Sequence, residues 1–268
     1  MRRGYSNQRR GFTVIELLAV ITIIAILAGM TLGGIGRVRV AAQRVQATSD
    51  IAQLSNAIAA FKTKFKVAYL PASGSGPGGT FRLLSNYAGT EPEAQFLKQM
   101  FPRMNGFPPY GGTTGLPNGT NLDSNQCLVF FLSGGAVTNY AGFSNDPSQP
   151  FNVSVGIGIP AFMSFQAKRL PPGPGGAPQY VDVWDTPYAY FAFDARIGSY
   201  SGVNPGMSTW IIDSTGRPEQ PRGFQIISAG PKGAFGPGGS YVGNSAYSAG
   251  GPGGDDLANF AQAGNLQQ

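Results

Sequence analysis

The chain has 268 residues, a formal net charge of +6, one cysteine, Cys127, and no histidine. Lack of histidine excludes Ser-His-Asp and Cys-His nucleophile systems and His-ligated zinc, leaving only carboxylate, lysine or tyrosine chemistry. A lone cysteine excludes an internal disulfide or a Cys-based metal or redox cluster, so no enzymatic activity is expected.

Residues 1–11 form a basic leader carrying Arg2, Arg3, Arg9 and Arg10 and no acid; removing those four arginines from the +6 total leaves +2. The basic balance therefore gives no reason to expect nucleic acid as a partner. Residues 12–36 are apolar apart from Glu16 and a few small or hydroxyl residues. That is enough for the roughly 20 residues of a bilayer-spanning helix. A secretory signal peptide would carry its small-residue cleavage site after the apolar stretch. Here the sharp boundary, Arg10-Gly11-Phe12, lies before it, so the span is expected to be retained. Arg37, Arg39 and Arg44 flank its other end, and charge alone does not orient it. An intramembrane carboxylate costs on the order of 2.5 kcal/mol or more on insertion scales. Glu16 sits near one end of the span, where it either reaches back to the headgroups or serves a function.

The string Arg9-Arg10-Gly11-Phe12-Thr13-Val14-Ile15-Glu16-Leu17-Leu18 resembles the processing site of the type IV prepilin and pseudopilin superfamily. The resemblance implies cleavage between Gly11 and Phe12 by a prepilin peptidase, N-methylation of Phe12, and lateral assembly into a filament. Gly11 has no side chain to obstruct entry of extended backbone into a protease cleft. The same resemblance gives Glu16 the role of pairing with the new amine of a neighbouring subunit's Phe12. Such a buried pair contributes registry more than net stability, because desolvation consumes much of the Coulomb gain. It also sets the leader in the cytoplasm and the rest of the chain, beyond one span of the bacterial inner membrane, in the periplasm.

Downstream, residues 37–70 read as a continuation of the helix. Ile51, Leu54, Ile58, Phe61 and Phe65 recur at helical spacing with polar residues between them, which predicts one buried stripe. Lys62 and Lys66 fit either a polyanion patch or, better, a solvated face. Gly29, Gly33, Gly34 and Gly36 each weaken a helix by about 1 kcal/mol relative to Ala and predict a bend or local melting. Gly29 and Gly33 also have the small-xxx-small spacing that lets helices approach closely in lipid. The helix is expected to end over residues 67–70, before Pro71 and a Gly/Ser/Pro run.

Residues 71–179, rich in Gly, Pro, Asn and Ser, read as an irregular insertion. One short helix is legible in it, with Thr90 as N-cap, Pro92 early and Glu93 at N3. Cys127 to Leu132 is an apolar run too short to assign. Residues 180–268 form a β-rich head, with strands expected over 180–184, 188–193, 209–212 and 224–228. Tyr188, Tyr190 and Phe191 are expected to pack in the core rather than stack on a ligand. The fold class is α+β, a long helix against a small antiparallel sheet.

Val183-Trp184-Asp185-Thr186-Pro187-Tyr188, Phe224-Gln225-Ile226-Ile227-Ser228-Ala229-Gly230 and Asp255-Asp256-Leu257-Ala258-Asn259-Phe260 follow in that order. Together they resemble the major pseudopilin of type II secretion. That resemblance implies calcium in the last loop, with Asp255 and Asp256 matching the terminal acids. Lys232, however, stands where an acidic ligand belongs, which removes an oxygen and adds a positive charge. We expect its ammonium to pair with Asp255 or Asp256 in place of the ion. The implied function is a filament subunit that supports type II protein secretion. Its implied partners are copies of itself, other pseudopilins, the peptidase, an inner-membrane assembly platform and, before assembly, membrane lipid. The alternative is a type IV pilin or minor pilin acting in adhesion, motility or DNA uptake.

Overall fold

The structure, a computed structural model, describes residues 12–104, 115–135, 141–194, 197–204, 207, 209–211, 220, 223–236, 238–240 and 253–260. It divides into two units, Met1–Gln43 and Arg44–Gln268. Helix α1 (Val14–Phe65) is 52 residues long. In the first unit its apolar side chains are exposed, among them Val14, Ile15, Leu17, Ile21, Ile24 and Leu27. The helix runs unbroken through Gly29, Gly33, Gly34 and Gly36, so the local melting expected as the alternative to a bend does not occur there. The intrahelical hydrogen-bond ladder offsets the propensity cost of these glycines.

In the second unit the predicted stripe is buried: Ile51, Leu54, Ile58, Phe61 and Phe65 all lie in one core, which Ala47 joins. The helix stops at Phe65, short of the expected end. Lys66 turns left-handed at φ 53°, and the Val67 N–H reaches back to the Lys62 carbonyl at 3.2 Å. This is the Schellman closure, with lysine where glycine is favoured.

The described residues of the segment expected to be irregular form short elements around that stripe. In chain order it contributes β1 (Phe81–Arg82), α2 (Pro92–Met100), β2 (Asn121–Leu122), α3 (Ser124–Ser133), β3 (Gly142–Ser144) and β4 (Ile157–Pro160). β1 pairs with β2 and β3 with β4, both antiparallel. The N-cap of α2 is Glu91, not Thr90. Glu93 is fully buried and accepts hydrogen bonds from the Ser75 N–H at 2.6 Å and the Arg82 N–H at 3.2 Å. It anchors a distant loop instead of closing a capping box. The unassigned apolar run is α3, buried at every position. A true capping box, Asp123 with Gln126, starts it, and left-handed Gly134 ends it. Edge-on ring contacts join Phe61 to Phe131 and Phe65 to Phe101 and Phe143, so residues 71–179 cover the α1 stripe instead of hanging from the fold.

The C-terminal strands are β5 (Ala189–Asp194), β6 (Ser199–Ser201), β7 (Trp210–Ile211), β8 (Phe224–Ser228), β9 (Gly239–Ser240) and β10 (Leu257–Ala258). An antiparallel sheet has the order β10-β8-β5-β6, while β7 pairs in parallel with β9. Three of the four predicted strands fall on β5, β7 and β8. The fourth, over residues 180–184, is a tight turn. Asp182 Oδ1 accepts the N–H groups of Trp184 and Thr186 at 2.9 and 3.0 Å, and Asp185 adopts φ 64°. Tyr188, Tyr190 and Phe191 are buried, as the packing reading requires.

Candidate functional site

Three places in the fold collect chemistry-bearing side chains. The first is the start of α1. Gly11 lies outside the described residues, and Phe12 is exposed. Glu16 Oε2 accepts from the Thr13 N–H at 2.9 Å and the Thr13 hydroxyl at 2.8 Å, and the Glu16 N–H donates to Thr13 Oγ1 at 3.3 Å. This reciprocal box fixes the helix start at Thr13 and leaves Phe12 outside the helix. The Thr-x-x-Glu spacing was readable in the sequence, but the resemblance drew attention to Glu16 alone. Among the described residues no helix is long and apolar enough to cross a membrane. The described side chains of the apolar stretch run to Met30 and resume only at Gly36.

The second place is the terminal loop, where Asp255 and Asp256 are 3% and 0% exposed. Asp255 Oδ2 accepts from the Lys232 backbone N–H at 2.8 Å, and the Lys232 ammonium lies 3.9 Å from Asp255 Oδ1. Gly230, at φ 63°, is needed there because a Cβ would strike the Asp255 carbonyl. Asp256 Oδ2 accepts from the Gly236 N–H at 3.1 Å. Burial, with the Asp255 charge adding to it, pushes the Asp256 pKa up to about 7. The Oδ1 atoms of both aspartates are buried without a hydrogen-bond partner.

Those two oxygens are of the hard type calcium takes, but calcium needs 6–8 of them. Among the described residues no group of three acidic, His or Cys side chains is gathered to hold a metal. The Lys232 ammonium stands beside Asp255. The donor set thus meets the ion's requirement only in part.

The third place was missed by sequence reading. Asp50 on α1 pairs with Arg169 at 2.7 Å, with side chains 4% and 8% exposed. Arg169 also donates through Nε and NH2 to the Val181 carbonyl at 2.9 and 2.6 Å, and its guanidinium lies over the Tyr180 ring at 4.6 Å. Asp50 further accepts from the Tyr188 hydroxyl at 3.1 Å and from Gln46 Nε2 at 3.0 Å. Burial, with the Asp50 charge added, raises the Tyr188 pKa, and burial raises that of Tyr180 to about 12, so both hydroxyls remain protonated. The Asp50 carboxylate and the Arg169 guanidinium are both satisfied, which makes the cluster a structural clamp between α1 and the segments that carry Arg169, Val181 and Tyr188. The signal was Asp50 within the stripe formed by Ala47, Ile51 and Leu54: a carboxylate on an apolar face requires a buried partner.

Residues 6–32 match the family model described as the prokaryotic N-terminal methylation motif. The match supports a chain of the type IV pilin or pseudopilin kind. No curated protein and no solved structure matches the chain.

Proposed function

We propose that the chain is the structural subunit of a pseudopilus, cut between Gly11 and Phe12 by prepilin peptidase and N-methylated at Phe12. It is held in the inner membrane by residues 12–36 until a platform assembles it into a filament that serves type II secretion. One observation carries the reading: the apolar side chains within the methylation-motif match, residues 6–32, are exposed over the described part of the first unit, while those of the stripe farther along the same helix are buried. Apolar surface on that scale is unfavourable in water at about 25 cal/mol per Å2, so lipid or other copies must cover it. Glu16 then meets the Phe12 amine of the next subunit. Its two contacts to Thr13 hold the carboxylate at the helix start, where that amine arrives. In the head, Lys232 stands in for part of a calcium ion's charge beside Asp255.

Mass spectrometry of native filaments tests the proposal: the mature N-terminus should be methylated Phe12, and residues 1–11 still attached in assembled material would overturn it. Loss of exoprotein secretion on deleting the gene separates this reading from a surface pilin of adhesion or motility. The pilin reading is favoured by one feature, the open cavity that residues 71–179 form on the head.

A further inference from the structure

We infer that one end of the head, where the last turns of α1 and α2 meet, binds the phosphate backbone of double-stranded nucleic acid through Lys62, Lys64, Lys66 and Arg103. Gln99 Nε2 of α2 lies 3.5 Å from the Lys66 carbonyl, and the Phe65 and Phe101 rings meet edge-on 5.2 Å apart, so the two helix ends are side by side. Arg103 sits in the turn after α2, closed by the Met104 N–H donating to the Phe101 carbonyl at 3.1 Å. Lys64, Lys66 and Arg103 are exposed, and Lys62 is half-buried.

The small net charge of the chain conceals this surface. Residues 51–122 carry six cations, Lys62, Lys64, Lys66, Arg82, Lys98 and Arg103, against two acids, Glu91 and Glu93. Glu93 is fully buried, and Glu91 is the N-cap at the opposite end of α2. The loop after β3, which packs here through Phe143 on Phe65, holds one acid, Asp146, whose Oδ1 accepts from the Ser148 N–H and hydroxyl at 2.8 and 2.7 Å. Elsewhere in the head the acids are internal: Asp50, Asp182, Asp194, Asp255 and Asp256 are at most 3% exposed. Among the described residues none of the four cations is in an ion pair. Lys98 is not counted with them, because its Nζ lies 3.9 Å from where a Cβ on Gly89 would stand, back toward the start of α2.

Lysines at a helix end are ordinarily explained by the helix dipole. Each dipole end amounts to about half a negative charge, so two helix ends balance about one of the four cations and leave the rest for a partner. Lys66 also stands on a backbone that suits another residue, left-handed at φ 53°, where glycine is favoured. Its side chain, not its backbone, gives lysine a use there. The surface offers charge and little else: its exposed neighbours are Thr63, Ala68, Gln99 and Pro102, with no large apolar side chain to anchor a protein partner. Bare cations gain most from the densest polyanion, and duplex DNA carries one negative charge per about 1.7 Å of axis, whose neutralisation releases counterions. Contacts of this kind carry no sequence preference.

The test uses the chain in neutral detergent and a fluorescent duplex of about 20 base pairs, with binding read by anisotropy at about 50 and about 200 mM salt. The combined variant Lys62→Gln, Lys64→Gln, Lys66→Gln, Arg103→Gln keeps every arginine of residues 1–44, so its difference from the unmutated chain belongs to this surface. It should bind about a hundredfold more weakly at the lower salt, with the slope of log affinity against log salt less steep by about 3. Lys66→Gly alone should weaken binding several-fold while raising the thermal midpoint, because it removes a charge and suits the left-handed backbone. Lys168→Gln, beside the clamp residue Arg169, removes an exposed cation elsewhere on the head and should change little. Absence of duplex binding, affinity that does not fall with salt, tighter binding of polyglutamate than of the duplex, unchanged affinity in the folded combined variant, or equal losses in Lys168→Gln and Lys66→Gly would each overturn the inference.

Discussion

The two parts of α1 have similar residue types and opposite surroundings. Before Gln43, the described isoleucines, leucines and valines are exposed; from Ala47 onward, the stripe of Ile51, Leu54, Ile58, Phe61 and Phe65 is covered by the chain's own aromatic residues. The contrast teaches where each stretch finds its partner. The later stretch is amphipathic, so one face can be buried inside a soluble head while the other is solvated. The earlier stretch is apolar all round over its described side chains; on the reading proposed above, its complement is a bilayer or a bundle of like helices.

The sharpest way to break that comparison is to mutate both parts. Glu16→Ala should leave cleavage after Gly11 nearly intact and abolish filaments, scored by mass spectrometry and electron microscopy, with no change in the stability of the head. Phe61→Ala should do the reverse at the level of the subunit, destabilising the head by about 3–5 kcal/mol in denaturant unfolding, because its ring fills the core against Phe65 and Phe131. Normal filaments from Glu16→Ala would remove the role given to that carboxylate.

Next in size is the Asp50–Arg169 clamp. Arg169→Met alone leaves a buried carboxylate without its cation and should cost about 3–5 kcal/mol, whereas the double variant Asp50→Leu/Arg169→Met should recover most of that loss. Equal losses in the single and double variants would mean that the guanidinium serves by packing on Tyr180 and not by its charge.

A smaller effect is expected at Asp256. Its pKa in the folded chain, about 7, lies above the ordinary aspartate value near 3.9, so the folded state holds the proton more tightly than the unfolded one. The contribution is present in full below the unfolded value and is lost as pH rises through about 7. In chelator, the thermal midpoint should therefore be higher at pH 5 than at pH 8, and Asp256→Asn should flatten that difference. Lys232→Asp, which restores an oxygen and removes a positive charge, should raise the midpoint when calcium is added. Strong stabilisation of the unmutated chain by calcium would refute the substitution of ion by lysine. The smallest change belongs to Thr13→Val, which removes one half of the capping box and should cost about 1 kcal/mol of helix stability, read as faster amide exchange in the first turn.

Much of this was legible in the residues, and the failures have physical causes. The stripe on α1 showed its 3.6-residue period, and β5 and β8 showed their β-branched and aromatic runs, because both patterns are local. The strand expected over residues 180–184 failed because the Asp182 side chain competes for backbone N–H groups and closes a turn. The short helix in 71–179 was legible in outline, but Glu93 was given a local cap when it binds Ser75, 18 residues away in sequence. Asp255 and Asp256 were named in advance as a pair. What surrounds them, an N–H and an ammonium of Lys232 on one and a buried oxygen without a hydrogen bond on each, depended on a loop contact spanning more than 20 residues.

The sequence alone determined the features carried by neighbouring residues: the basic leader, the apolar run, the motif around Gly11, Phe12 and Glu16, and the amphipathic period beyond it. Each follows from the chemistry of a short window of chain. Only the tertiary structure decided that residues 71–179 complete the core, that Asp50 finds Arg169, and that the ends of α1 and α2 bring their cations together. Those outcomes depend on which distant surfaces can be desolvated together, and no local pattern of hydrophobicity or charge encodes that choice.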